Sequence, residues 1–148
     1  MKNKKKTFFI TGGTGSFSKK FIDFLLKKKL AKKIIIYSRD EYKQFVLQQN
    51  PLIKKNLSMF RFQIGDIRDK DRLDFSVNEN IDCIIHTAAL KQVPAIEYNP
   101  FEAIKTNIIG AQNLIEVSIK KNIDKVLALS TDKAAAPINL YGATKLTS

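Results

Sequence analysis

Tyr141 and Lys145 have the residue types and the spacing of a proton-transfer pair. They stand four residues apart in the segment YGATK, and in a helix this spacing places both side chains on one face. A lysine ammonium beside a tyrosine stabilises the phenolate and lowers the tyrosine pKa from its usual value of about 10. Tyr141 could therefore remove the proton of a hydroxyl group while the same carbon loses a hydride to a nicotinamide ring.

A second group of reactive side chains lies a few residues upstream, in the segment STDK. Asp132 and Lys133 directly follow a predicted strand at residues 125–130. Open parallel sheets bind ligands at the carboxyl ends of their strands, so an adjacent acid and amine there could act as an acid–base pair. The alternative is a surface ion pair in a loop.

A glycine-containing loop joins the first predicted strand, residues 7–11, to the first predicted helix. Gly12 and Gly15 let the backbone turn tightly and approach a pyrophosphate, and the helix that begins at Ser16 supplies free N–H groups. The pattern predicts a dinucleotide site, and the alternative is an ordinary glycine turn. Ser18 stands where a third glycine is usual, so we expect weakened but not abolished cofactor binding.

The residues after the second predicted strand indicate which dinucleotide binds. An acid at that point would bind the ribose 2′-hydroxyl of NAD, whereas Ser38 and Arg39 could hold the 2′-phosphate of NADP. This favours NADP. Asp40 and Glu41 follow directly, and they leave open whether an acid binds the ribose or both residues form the first turn of the next helix.

Asp66 and Ile67 follow the third predicted strand. At that edge of the sheet the adenine ring of a dinucleotide would lie, so both residues are candidates for contacts with adenine. A cap for the next helix is an equally good interpretation of Asp66.

Short apolar segments alternate with helical patterns along the whole chain. Apolar strands separated by helices predict an α/β fold, a Rossmann-like doubly wound parallel sheet covered on both faces. We expect residues 1–148 to form one domain without a second one, and residues 50–51 to end the second helix. The predicted strands are residues 7–11, 33–37, 59–64, 82–86 and 125–130; the predicted helices are residues 16–30, 40–49, 70–80, 101–121 and from 141 onward, with a loop at 87–93.

Helical spacing also predicts which side chains face the core. Cys83 and His86, on the fourth strand, are interpreted as core residues. The predicted inward residues of the helices are Phe17, Phe21, Phe24, Leu25, Leu73, Val77, Ile104, Ile108, Ala111, Leu114, Ile115 and Ile119.

Composition excludes several classes of protein. One cysteine and one histidine exclude a disulfide framework and a Cys- or His-based metal site, and we predict no metal. No apolar run is long enough to span a membrane or to form a signal-peptide core, so we expect a cytoplasmic protein. Residues 1–33 contribute +10 of the net charge of +12. A basic arm that binds nucleic acid or an anionic membrane is one interpretation; a solvated tail and helix face is favoured, because only four basic residues are arginines.

Several segments together resemble the extended branch of the short-chain dehydrogenase/reductase superfamily. Within it, the chain is similar to the inverting (5-epimerising) UDP-N-acetylglucosamine 4,6-dehydratases of pseudaminic acid synthesis. The segments are TGGTGSF, GDIRD, HTAALKQVP, TNIIGAQN, STDKA and NLYGATK, which together extend over essentially all 148 residues. The resemblance implies NADP as cofactor, UDP-N-acetylglucosamine as substrate and, in the full-length family, a homo-oligomer; it implies neither a nucleic acid nor a membrane partner.

The resemblance also implies roles for the reactive side chains. Tyr141, poised by Lys145, would help to oxidise carbon-4 of the sugar. Lys133 would then remove the proton on carbon-5, and Asp132 would protonate the departing carbon-6 hydroxyl group. Thr131 would bind the carbon-4 oxygen. Inversion follows if the proton returns to the opposite face of carbon-5.

The sequence departs from the family pattern at two positions and at its end. Ser18 and Ala136 stand where the family has a glycine and an asparagine. The chain stops at Ser148, before the later strands and the C-terminal substrate domain of the family, so the alternative function is an inactive NADP-binding fragment.

The resemblance also implies further residues of the site. Asn107 matches a family asparagine, or else satisfies a buried backbone group. The implied cofactor contacts are Gly12, Thr14, Gly15, Ser16, Phe17, Ser38, Arg39, Asp66, Ile67, Ala88, Ala89, Lys91, Tyr141 and Lys145, and the implied substrate contacts are Lys91 and Thr131.

Overall fold

A parallel five-stranded sheet forms the centre of the computed structural model, which describes residues 5–78 and 80–148. The strands are β1 Lys6–Thr11, β2 Ala31–Ser38, β3 Phe60–Ile64, β4 Cys83–His86 and β5 Val126–Ala128. Their order in the sheet is β3-β2-β1-β4-β5, and every neighbouring pair is parallel. The predicted fold class is confirmed. Residues 1–4 of the predicted basic arm, and residue 79 of the third predicted helix, lie outside the described residues.

Helices cover both faces of this sheet. They are α1 Ser16–Lys27, α2 Glu41–Gln48, α3 Pro51–Lys55, α4 Lys70–Ser76, α5 Val93–Tyr98, α6 Pro100–Ile104, α7 Gly110–Lys120 and α8 Leu140–Thr147. A π-helical turn, Lys105–Ile109, joins α6 to α7, and 3-10 turns occupy Leu57–Met59 and Asp132–Ala134.

The core consists of two clusters, one on each face. On one face Phe8 and Ile10 of β1 pack with Ile22 and Leu25 of α1. On the other face the cluster includes Phe9 of β1 and residues of α4 and α7. Because successive residues of a strand point to opposite faces, the unbroken apolar sequence of β1 supplies both clusters.

Prolines explain where the predicted helix boundaries were wrong. Pro51 begins α3 rather than ending α2, and Asn50 caps α3 by accepting a hydrogen bond from the Leu52 amide at 2.9 Å. Pro94 and Pro100 likewise stand in the first turns of α5 and α6, since the first turn of a helix does not need their missing N–H groups. α5 begins at Val93, the last residue of the predicted loop, and the helix predicted at 70–80 ends at Ser76 without a proline.

Four predicted core positions are wrong. Phe17, Phe24, Ile115 and Ile119 are between 41% and 71% exposed. On α1 the buried face is formed instead by residues such as Ser18, while Phe17, Phe21 and Phe24 stack on one another along the flank, with ring centroids 5.9 and 6.3 Å apart. Half-buried Cys83 packs against the core of the α1 face, in agreement with its interpretation as a core residue.

Candidate functional site

A cavity of about 360 Å³ opens at the carboxyl ends of the strands. β1 pairs with β2 on one side and β4 on the other, so the chain crosses from one half of the sheet to the other at this point, where open parallel sheets bind ligands. The implied cofactor contacts that line this cavity are Gly12, Thr14, Gly15, Ser16, Ser38, Arg39, Asp66, Ile67, Ala88, Ala89 and Lys91.

The glycine loop fits a phosphate cradle. Gly12 has a φ of +61°, a backbone conformation that favours glycine. A Cβ on Gly12 would lie 2.8 Å from the Ala88 amide nitrogen, and one on Gly13 would lie 2.7 Å from Ile36 Cγ2. The loop is therefore packed against both neighbouring strands, while the N-terminus of α1 faces the cavity through Gly15 and Ser16. The residues present fit the pyrophosphate of a dinucleotide.

Ser18 has a structural role that a third glycine could not fill. Its side chain is fully buried, and its hydroxyl donates to the Gly12 carbonyl at 3.1 Å and lies 2.9 Å from Thr87 Oγ1. The serine therefore ties the glycine loop to the segment after β4. Its expected effect on cofactor affinity stays a prediction.

A hydroxyl and two cations line the cavity near the end of β2. They come from Ser38 at the end of the strand, Arg39 after it and Lys43 in the first turn of α2. Asp40, left open by the sequence, caps α2: its Oδ1 accepts from the Lys43 amide at 2.8 Å, and its Oδ2 pairs with Lys43 Nζ at 3.0 Å. These hydrogen bonds hold the pKa of Asp40 below its usual value. Glu41 is exposed in the first turn of α2. Lys43 was not predicted, because its place depends on how α2 folds back over the strand end.

Asp66 is held in the wall of the cavity by arginines. Its Oδ2 accepts from Arg68 at 3.0 and 2.7 Å, and Arg39 lies 3.8 Å away. Burial alone would raise the pKa of Asp66, but Arg68 and Arg39 hold the pKa below its usual value. The cap of α4 is Asp69, whose side chain accepts from the Arg72 amide, so the alternative interpretation of Asp66 as the helix cap is wrong.

A smaller cavity of about 80 Å³ shares its wall with the first, through residues such as Gly15, Ala88 and Lys91. Tyr141, Lys145 and Phe17 line it. Helix α8 carries the first two, and it begins where Asn139 accepts a hydrogen bond from the Gly142 amide at 2.9 Å. Lys145 is buried, and this burial lowers the pKa of its ammonium.

The segment at residues 131–133 lines neither cavity. Asp132 and Lys133 form an exposed pair with 3.6 Å between Oδ1 and Nζ, and hydrogen bonding from Thr131 and the charge of Lys133 lower the pKa of Asp132. The segment nevertheless packs closely on the helix of Tyr141. The packing leaves no room for a side chain at Gly142, where a Cβ would collide with the Lys133 carbonyl oxygen. The two reactive groups are therefore neighbours, although their side chains do not meet in one cavity.

Asn107 connects the two halves of the site. Its buried side chain accepts from the Leu90 amide at 2.8 Å and donates to the Leu90 carbonyl at 2.9 Å and to Thr144 Oγ1 at 2.9 Å. Thr144 in turn donates to the Tyr141 carbonyl at 2.8 Å. The π-helical turn that contains Asn107 thus joins the cavity segment after β4 to the helix of Tyr141, besides satisfying a buried backbone group.

We expect Asn107→Ala to lower the free energy of unfolding by about 3 kcal/mol, because three hydrogen bonds disappear and the Leu90 backbone loses its partners. Urea unfolding measures this change. Gln112→Ala is the control, since Gln112 is exposed one turn further along and should change stability by less than about 0.5 kcal/mol. Equal effects of the two substitutions would contradict the structural role of Asn107.

His86 is a core residue that also lines the smaller cavity. Its Nδ1 lies 2.8 Å from Thr11 Oγ1. Burial, with a further contribution from the charge of Lys145, lowers the pKa of His86 from 6.5 to about 4. The imidazole is therefore neutral at physiological pH, beside the pair formed by Tyr141 and Lys145.

The lowered pKa of His86 predicts a pH dependence of stability. Because protonation is harder in the folded chain than in the unfolded chain, the stability that depends on neutral His86 is complete above about pH 6.5 and falls as the pH drops towards 4. We expect the loss to reach about 3 kcal/mol. Urea unfolding between pH 8 and pH 4 measures it, and His86→Gln should flatten this dependence; an unchanged slope would contradict the assignment.

Thr106 is a wall residue that the sequence did not indicate. Its side chain is 3% exposed, it lines the larger cavity, and its hydroxyl oxygen has no hydrogen-bond partner within residues 5–78 and 80–148. A buried hydroxyl without a partner is costly, so Thr106 is a candidate contact for a ligand.

Within residues 5–78 and 80–148 there is no cluster of three metal-ligating side chains, and no helix is long and apolar enough to cross a membrane.

Comparison with known proteins places this geometry in context. A family model described as polysaccharide biosynthesis protein matches residues 8–148. The inverting UDP-N-acetylglucosamine 4,6-dehydratase of Campylobacter jejuni is 53% identical over 144 residues, which cover 97% of this chain and 42% of that protein. The UDP-glucose 4-epimerase of Rickettsia typhi is 44% identical, with 95% and 40% covered. The X-ray structure of Pen from Bacillus thuringiensis has a TM-score of 0.89 at 43% identity, with 99% and 44% covered. The chain thus spans about two fifths of the curated relatives it matches.

Proposed function

The chain belongs to the polysaccharide biosynthesis protein family, and from this membership we propose that it carries the dinucleotide-binding and catalytic part of a UDP-N-acetylglucosamine 4,6-dehydratase that inverts carbon-5. The observation that carries the proposal is the packing of the segment STDK directly on the helix of Tyr141, through Gly142. The relative from Campylobacter jejuni, named for this activity, supports it. The product would be a UDP-4-keto-6-deoxy sugar.

NADP is the proposed cofactor, and when bound it would supply the hydride chemistry at carbon-4 and carbon-6 of the sugar. The glycine loop and the N-terminus of α1 would hold its pyrophosphate. Ser38, Arg39 and Lys43 would hold its 2′-phosphate, because they bring a hydroxyl and two cations to the cavity while the nearby carboxylate of Asp40 is engaged as a helix cap.

The chain's own residues would move the protons. Tyr141, beside the buried ammonium of Lys145, would accept the proton of the carbon-4 hydroxyl group. The resulting ketone acidifies the carbon-5 hydrogen, which Lys133 would remove as a proton. Asp132 would protonate the carbon-6 hydroxyl group, which leaves as water, and Thr131 would donate to the carbon-4 oxygen. A proton returned to the opposite face of carbon-5 inverts that centre.

Lys91 is the proposed further contact with the substrate, because it lines both cavities at the point where they join. For the whole protein we propose a homo-oligomer in the cytoplasm, without nucleic acid or membrane partners. The exposed apolar residues Phe101, Ile109, Ile115 and Ile119 of the segment from α6 to α7 support self-association.

A second candidate function is dinucleotide binding without turnover. The exposed pair of Asp132 and Lys133 favours it, because their side chains contact one another and line neither cavity. In this function the cavities bind NADP, while the acid and the amine contribute only a surface ion pair.

Incubation of the chain with UDP-N-acetylglucosamine and NADP⁺ in deuterated water separates the two candidates. Mass spectrometry of the nucleotide sugar follows the loss of water. NMR follows the incorporation of deuterium at carbon-5. A 4-keto-6-deoxy product with deuterium and inverted configuration at carbon-5 supports the dehydratase. Bound NADP⁺ with an unchanged sugar supports the second candidate. A sugar changed only in the configuration at carbon-4, or no bound dinucleotide, would contradict both.

A further inference from the structure

Gln44 is a buried glutamine next to the proposed 2′-phosphate site. Its side chain is 3% exposed. Its amide nitrogen donates to the Ser38 carbonyl at 3.1 Å, to the Gln63 carbonyl at 2.9 Å and to the Ser38 hydroxyl oxygen at 2.9 Å. Two of these partners are carbonyl oxygens, which only accept hydrogen bonds. The group facing them must therefore be the NH₂ of the amide and not its oxygen.

This orientation fixes the direction of the Ser38 hydroxyl group. An amide nitrogen is a donor and not an acceptor, so the Ser38 oxygen must be the acceptor at that contact and its hydrogen must point elsewhere. Within residues 5–78 and 80–148, this hydroxyl donates no hydrogen bond to a protein group, and its one side-chain hydrogen bond is the one it accepts from Gln44. Ser38 itself lines the larger cavity. The hydrogen is thus available for a ligand in the cavity.

The neighbours of Ser38 make the direction of this hydrogen important. Arg39 and Lys43 line the same end of the cavity. A hydroxyl donor together with two cations suits a phosphate monoester, because hydrogen bonds to charged oxygens are stronger than those to neutral groups. If the hydroxyl pointed its hydrogen at a protein carbonyl, it would present only lone pairs to the same phosphate.

We propose that Gln44 is a positioning residue that sets the preference for NADP over NAD by aiming the hydrogen of Ser38 at the 2′-phosphate. The proposal rests on the proposed function of the cavity as a dinucleotide site. Gln44 does not line the cavity, so it acts through Ser38 alone. Without its amide, the Ser38 hydroxyl would lose the donor that now occupies its oxygen, and its hydrogen would no longer be aimed at the cavity.

A double-mutant cycle on the 148-residue chain tests this proposal. Dissociation constants for NADP⁺ and NAD⁺ are measured by calorimetry for wild type, Gln44→Met, Ser38→Ala and the double variant. We expect each single substitution to lower the NADP⁺/NAD⁺ preference by about tenfold, the contribution of one hydrogen bond to a charged group. The double variant should lose no more than Ser38→Ala alone, because Gln44 acts only through that hydroxyl.

Gln49→Met is the matched control, since it makes the same replacement at an exposed position just after α2. It should leave both constants unchanged. Circular dichroism verifies folding, and if Gln44→Met does not fold, Gln44→Ala gives the same comparison, because the space it leaves lets water reach the two carbonyl oxygens without adding a charge. Equal weakening of NADP⁺ and NAD⁺, or independent losses that add in the double variant, would overturn the role of Gln44. A wild type without preference for NADP⁺ would instead overturn the proposed cofactor.

Discussion

We expect Gly12→Ala to lower dinucleotide affinity by about a hundredfold, because a displaced loop loses two or more hydrogen bonds to the charged pyrophosphate. Gly12 has a φ of +61°, which is strained for any residue with a Cβ. The new Cβ would also lie 2.8 Å from the Ala88 amide nitrogen and 2.8 Å from Thr87 Oγ1. Strain and overpacking together should lower the free energy of unfolding by about 2–4 kcal/mol. Urea unfolding and NADP⁺ titration measure the two effects.

Gly15→Ala distinguishes an effect on dinucleotide affinity from an effect on the free energy of unfolding. A Cβ on Gly15 would meet only the Gly12 carbonyl oxygen, at 3.2 Å, so we expect the free energy of unfolding to stay within about 1 kcal/mol of wild type. Because Gly15 lines both cavities, a Cβ there should still weaken NADP⁺ binding. Wild-type affinity in Gly12→Ala would show that the dinucleotide does not use this loop.

The parts of the site that follow directly from strand ends could be predicted from the sequence. In a parallel sheet every strand carries its carboxyl end to the same edge. Gly12, Asp66 and Ala88 lie just after a strand and Ser38 is the last residue of β2, and the structure brings all four to one cavity. Residue type and position at or just after a strand end were sufficient to predict these cavity residues, because a residue so close to a strand end must lie at that edge of the sheet.

Residues that reach the site through tertiary packing could not be predicted. Lys43 and Thr106 lie within helical segments, and periodicity does not indicate which turn of a helix covers the mouth of a cavity. The sequence offered Asn107 as a residue that satisfies a buried backbone group, but its contact with Thr144 depends on a π-helical turn, which has no sequence pattern of its own. The wrong core predictions on α1 and α7 have a similar cause. The apolar stripe of each helix is wider than the face that the sheet covers, and helical periodicity alone predicts that the whole stripe is buried.

We expect Lys133→Met to lower the rate of deuterium incorporation at carbon-5 of UDP-N-acetylglucosamine by about 10²–10⁴-fold, the usual effect of removing a general base. Dinucleotide affinity should stay unchanged, because Lys133 lines neither cavity. NMR of the sugar in deuterated water measures the exchange, and calorimetry with NADP⁺ measures the binding. The control Lys125→Met removes the same charge from an exposed position before β5 and should leave both unchanged.

The same variant distinguishes the two interpretations of the exposed pair that Lys133 forms with Asp132. A surface ion pair contributes at most about 1 kcal/mol to stability, so under that interpretation Lys133→Met changes the unfolding free energy slightly and the exchange rate not at all. Under the acid–base interpretation the exchange is lost while folding and binding persist. Because the segment packs on the helix of Tyr141 through Gly142, a bound sugar that reaches Tyr141 would have only a short distance to cover to Lys133. Exchange at the wild-type rate in Lys133→Met would leave the pair as a surface contact and would assign removal of the carbon-5 proton to another residue.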